Sequence, residues 1–212
     1  MGPLAALRSV LERLAPAAPV LFLAGAGHAD PASRNPILDP GNAWAVALFG
    51  GPLTENVFAT SLYSPGRFAN SGLAGVDVTY TYFSLPTFPL KLELDVTAAK
   101  RFGQDDAWEF GFVPTFRWTS FPWNDFLYTN VRVGPVGVNY ATDVSAWELH
   151  WAGNNHGSRW LNYFLVEIDV RPSERSPIEF FGGWSHRSGA WGLWNGAYGG
   201  STYEVLGVRY HF

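Results

Sequence analysis

Three residues near the C-terminus have the types that ester hydrolysis requires. His186 and Ser188 stand two apart, and Glu204 follows a stretch rich in Gly and Trp. Cleaving an ester needs a nucleophile, a base to take its proton and a group that orients the base. Read at the two-residue period of a strand, His186 and Ser188 share a face with Ile178, Phe180 and Trp184. Glu204 likewise shares one with Leu206, Val208, Tyr210 and Phe212. Both faces are otherwise as apolar as a lipid-facing wall, where polar groups are costly and need a reason. Side chains two apart on a strand leave the backbone about 7 Å from each other, a gap that leaning can close. If the two strands are antiparallel neighbours, pairing Ile178 with Phe212 puts His186 opposite Glu204. The expected roles are base for His186, nucleophile for Ser188 and tautomer-fixing carboxylate for Glu204.

Positioning such groups takes strands, and the chain supplies them. It has 212 residues, 47% hydrophobic, 17% aromatic and 15% charged, a low charge and high aromatic share for a soluble domain. The net charge of -4 and the lack of a basic cluster give no nucleic-acid footprint. Without cysteine there are no disulfides, thiolate metal sites or lipidated N-terminal Cys. Arg8 and Arg13 precede an apolar stretch from Leu14 that ends in Gly27-His28-Ala29, which reads as a signal peptide over 1–29. The mature chain, 30–212, has no apolar run of the ~20 residues a spanning helix needs.

Eight alternating segments follow. The clearest sets Leu90, Leu92, Leu94 and Val96 against Lys91, Glu93, Asp95 and Thr97. Another sets Trp108, Phe110, Phe112, Phe116 and Trp118 against Glu109 and Arg117, and the fifth is broken at Gly134-Pro135. Connections alternate between long or Gly-rich (Gly50–Ser71, Arg101–Ala107, Ala141–Ser158, Gly189–Ser201) and short and Pro-rich. This is the rhythm of an eight-stranded antiparallel transmembrane β-barrel of the outer membrane. So small a barrel is filled by side chains. Lys91, Glu93, Asp95, Glu109, Arg117, Arg132, Glu167, Asp169, Arg187 and Arg209 would supply an ion-paired filling, which argues against transport. A soluble lipocalin-like barrel would need the opposite arrangement, apolar inside and charged outside.

The segments Phe180-Phe181-Gly182-Gly183-Trp184-Ser185-His186-Arg187-Ser188-Gly189 and Glu204-Val205-Leu206-Gly207-Val208-Arg209-Tyr210-His211-Phe212 resemble the PagL-type lipid A 3-O-deacylases, outer-membrane barrels. The likeness covers residues 178–212; the rest matches in barrel pattern alone. The resemblance implies a membrane-facing triad on His186, Ser188 and Glu204 that removes the 3-position acyl chain of lipopolysaccharide without a cofactor. Trp184, Trp191, Trp194 and Tyr198 would then stand where sugar meets acyl chains. Two departures bear on the oxyanion hole: Gly189 follows the serine where family members often have Asn, and the loop to Glu204 is longer. Asn195 is the side-chain candidate, with the N–H groups of Gly189 or Gly192 as helpers.

Other readings stay in view. His156-Gly157-Ser158 is a second His-x-Ser pair with Glu148 near it in sequence, in a setting that reads as a turn into a strand. The carboxylates lack metal-ligand spacing, so no metal or other cofactor is expected. A different class of function is a non-catalytic outer-membrane barrel whose loops bind a partner, the first outside loop with Arg67 and Asn70 being long enough. The expected partners are lipopolysaccharide and outer-membrane lipids, and the sequence leaves a homodimer open.

Overall fold

Alternation of apolar and polar residues produces eight strands: β1 (Trp44–Thr54), β2 (Phe68–Ser84), β3 (Leu90–Gly103), β4 (Trp108–Trp118), β5 (Tyr128–Ala141), β6 (Trp160–Arg171), β7 (Ile178–Ser188) and β8 (Gly200–His211). Two short helices interrupt them, α1 (Phe58–Ser61) and α2 (Ala146–Ala152). The structure, a computed structural model, describes residues 43–64, 66–85, 87–152 and 156–212. The expected signal peptide, with its His28, lies outside the described residues. Each strand pairs antiparallel with the next, and β8 closes on β1. No described helix is long and apolar enough to cross a membrane.

Which face points where is settled by burial. Leu48, Val96, Phe110, Phe112, Ile168, Phe180, Leu206 and Val208 are exposed on the outside. Arg101, Arg117, Arg132, Arg209, Glu93, Asp95, Asp169 and Glu179 are buried within. This is the polarity of a lipid-solvated barrel, and the inverse of a lipocalin. Charges cut off from water need partners, and the guanidinium fork supplies several at once. Arg132 pairs with Glu93 at 2.8 Å and also with Asp95 and Glu167. Arg209 meets Glu179 at 2.7 Å, Glu167 at 2.8 Å and Asp169 at 3.2 Å. The lumen is therefore a side-chain core.

Its outer mouth is stoppered as well. α2 carries Glu148 into the barrel, where it meets Arg187 at 3.1 Å and Arg101 at 3.3 Å and accepts from Ser201 Oγ at 2.8 Å. Ser145 caps this helix by accepting the Glu148 N–H at 3.3 Å.

Three expectations about the elements change. The first outside connection is 55–67 rather than Gly50–Ser71, because Gly50, Gly51 and Gly72 are drawn into the β1–β2 ladder. β3 likewise runs through Arg101 to Gly103. β5 is continuous across Gly134-Pro135. Its register on β6 shifts between Gly134 and Gly137, and Pro135 and Val136 are both exposed. Two successive outward residues make a β-bulge, which suits proline because the bulged residue is left out of the ladder.

Candidate functional site on the outer wall of β6, β7 and β8

The outer parity expected for the three candidate residues is observed. Along β7, Glu179, Phe181, Ser185 and Arg187 are buried in the lumen, so His186 and Ser188 project outward with Phe180. Along β8, Ser201, Tyr203, Val205 and Arg209 point in, so Thr202 and Glu204 point out with Leu206 and Val208.

The register between these strands differs from the expected one. Ile178 pairs with Tyr210, not Phe212, so Thr202 faces His186 and Glu204 faces Trp184. The cause lies in the hairpin. Gly189 N–H donates to Gly199 O at 3.0 Å, which fixes Ser188 against Gly200 and carries every pair below it. Glu204 is thus a diagonal neighbour of His186, at a separation that long side chains can bridge. Its Oε1 is buried and unpartnered among the described residues, as is Nε1 of the facing Trp184.

Thr202, which sequence reasoning missed, takes the place assigned to the carboxylate. Its Oγ1 and His186 Nδ1 hydrogen-bond at 2.8 Å. With the proton on Nδ1 the ring donates to this hydroxyl, leaving Nε2 bare as a base. Thr202 is buried although it faces outward, and the first outside connection lies against the His186 beside it. That segment leaves β1 yet reaches past β8: Phe58 of α1 stacks on His186 at 4.7 Å and meets Phe164 of β6 edge-on at 4.9 Å. Its ends are tied by Glu55 N–H to Arg67 O at 2.8 Å and by Asn56 Nδ2 to Ser64 O at 3.0 Å. Val57, Leu62 and Tyr63 on the same segment are exposed.

Ser188 is half-buried at the top of β7, and its hydroxyl has no hydrogen-bond partner among the described residues. It is not bonded to His186. Directly across β6 stands Asn162. The connection after Ser188 is tightly folded, with Ala190, Trp191 and Asn195 at φ of 48°, 57° and 53°. Asn tolerates that left-handed region; for Ala and Trp it is a strained backbone directly beside the serine.

The residues proposed as oxyanion donors already have acceptors. Asn195 Nδ2 donates to Ser158 Oγ at 3.1 Å and to Trp160 O at 2.9 Å. Gly189 N–H goes to Gly199 O, and Gly192 N–H to Gly189 O and Ala197 O. The second His-x-Ser pair belongs to the same tie: His156 Nε2–H donates to Asn195 O at 2.7 Å, and Ser158 Oγ to Trp160 O at 2.8 Å. A hydroxyl spent on the strand's first carbonyl is a turn device, as its sequence setting suggested. Among the described residues no grouping of three or more His, Asp or Glu could hold a metal ion. His211 stands near Glu179 at the lower end, at 3.4 Å.

No protein-family model matches the chain, and no curated protein does. Among solved structures, the crystal structure of Neisserial surface protein A (NspA) is similar at 12% identity and a TM-score of 0.45, covering 81% of this chain and 98% of that one.

Proposed function

We propose that this chain is an outer-membrane lipid A 3-O-deacylase of the PagL type, with Ser188 as nucleophile and His186 as general base. The observation that carries the reading is a histidine held by a hydrogen bond through Nδ1 and a serine with an unengaged hydroxyl, two apart on the lipid-facing side of one strand. In the reaction Ser188 Oγ attacks the ester carbonyl carbon while its proton passes to His186 Nε2. Collapse of the tetrahedral intermediate breaks the bond to the sugar 3-oxygen, which takes that proton back. Water then cleaves the acyl-serine with the imidazole again as base, releasing a 3-hydroxy fatty acid. Thr202 orients the ring, and Glu204 supplies negative charge from the diagonal position. The Ser188–His186 hydrogen bond forms as substrate arrives, since such bonds are commonly loose in the free enzyme.

A second reading, a non-catalytic barrel whose outside segments bind a partner, draws support from Phe58, which covers the imidazole of the free protein. Mass spectrometry of lipid A separates the two. Cells whose lipid A carries the 3-linked chain are given the wild type or Ser188→Ala. Loss of one 3-hydroxyacyl chain with the wild type alone is the expected result. An unchanged lipid A beside a folded wild-type barrel would transfer the assignment to the binding barrel.

A further inference from the structure

With Asn195, Gly189 and Gly192 committed to other acceptors, the proposed reaction needs another donor for the developing oxyanion. We infer that Asn162 supplies it, an inference that rests on the deacylase reading. Asn162 and Ser188 are direct cross-strand partners between β6 and β7. Residues so paired have Cβ atoms about 5 Å apart. Asn162 has the outward parity of Trp160 and Phe164 on β6, yet it is only 8% exposed.

Its amide is oriented by the bulge in β5. Gly137 N–H donates to Asn162 Oδ1 at 3.3 Å, at the point where the register shifts. A backbone N–H can only donate, so the oxygen must take that end, and the amide nitrogen takes the other. The two N–H donors on that nitrogen have no acceptor among the described residues. In an apolar wall an unpaired amide donor is costly, and an ester carbonyl under attack by Ser188 is an acceptor at the neighbouring position. Ser188, followed by Gly189 rather than Asn, thus has an Asn beside it on the neighbouring strand.

The clean variant is Asn162→Asp, which retains an oxygen for the Gly137 N–H and removes both donors. Kinetics are measured on 3-O-acylated lipid A in detergent micelles, with rates expressed per folded barrel from the heat-modifiable gel band. Loss of an oxyanion donor lowers kcat by about 10²–10³-fold with KM little changed. Asn162→Ala is the second variant, should the added carboxylate prevent folding; kcat per folded barrel should fall as far. A merely structural role would reduce the yield of folded barrel and leave its kcat alone. Wild-type kcat in either folded variant, with Ser188→Ala inactive, would overturn the role of Asn162 and spare the deacylase. Fatty-acid release by Ser188→Ala would instead remove the deacylase mechanism itself.

Discussion

Thr202 is the residue on which the geometry of the imidazole turns. A neutral hydrogen bond of this kind contributes about 1 kcal/mol net, so Thr202→Val should lower kcat/KM by up to about tenfold. Thr202→Ser should restore most of it, and initial rates of fatty-acid release would show both. Equal rates for all three proteins would mean that the 2.8 Å bond does not set the working orientation. In the proposed reaction Glu204→Gln should be milder than His186→Ala, because the carboxylate stands diagonal to the imidazole. The sequence made the outward parity of His186, Ser188 and Glu204 legible, but not which of them meet. A strand repeats every two residues, so sliding β8 by two leaves both faces unchanged. Thr202 and Glu204 are therefore equivalent to any pattern argument, and only the closure of the hairpin at Gly189 and Gly199 chooses between them. Asn162 was hidden for a similar reason: its proximity to Ser188 is a fact of register.

At the scale of elements, the segment 55–67 is a cover laid across the outer wall. Phe58 is its contact with the imidazole, and Val57, Leu62 and Tyr63 are exposed. Removing the ring should uncover the imidazole. Phe58→Ala is expected to raise carbethoxylation of His186 by diethyl pyrocarbonate several-fold, about what loss of ~1 kcal/mol of aromatic contact implies, as read by peptide mass spectrometry. An unchanged modification rate would show that Phe58 does not control access. Nothing in the sequence indicated this cover. Gly50, Gly51, Asn70 and Ser71 have turn composition, so the segment looked longer, but hydrogen bonding to neighbouring strands overrides weak β propensity. The break at Gly134-Pro135 was legible as an interruption; that it is a bulge with its free N–H satisfied by Asn162 depends on the strand beside it.

For the whole molecule, stability rests on an interior of paired charges. Arg132 contacts three carboxylates with no exposure to solvent. Arg132→Ala leaves Asp95 without a guanidinium and takes one of two from Glu93 and Glu167, which keep Arg117 and Arg209, and should cost about 3–5 kcal/mol, measurable by urea unfolding in detergent. A loss under about 1 kcal/mol would imply that the carboxylates simply take up protons. Most of this filling was legible from the inward parity of Glu93, Asp95, Arg117, Arg132, Glu167, Asp169 and Arg209. Arg101 and Glu148 were not, since one lies where the pattern had already given way to a connection and the other arrives on a helix. Glu148 also seals the outer mouth.

The outward placement of Ser188 has a kinetic meaning. A hydroxyl on the wall of a barrel meets only what is dissolved in the surrounding sheet of lipid, so its encounters occur in two dimensions. For the proposed deacylase the governing variable is then the mole fraction of substrate in the leaflet, and inert lipid is a diluent. At constant total substrate, adding inert detergent or phospholipid to the assay should slow turnover as surface dilution, whereas changing the bulk volume should leave it unaltered.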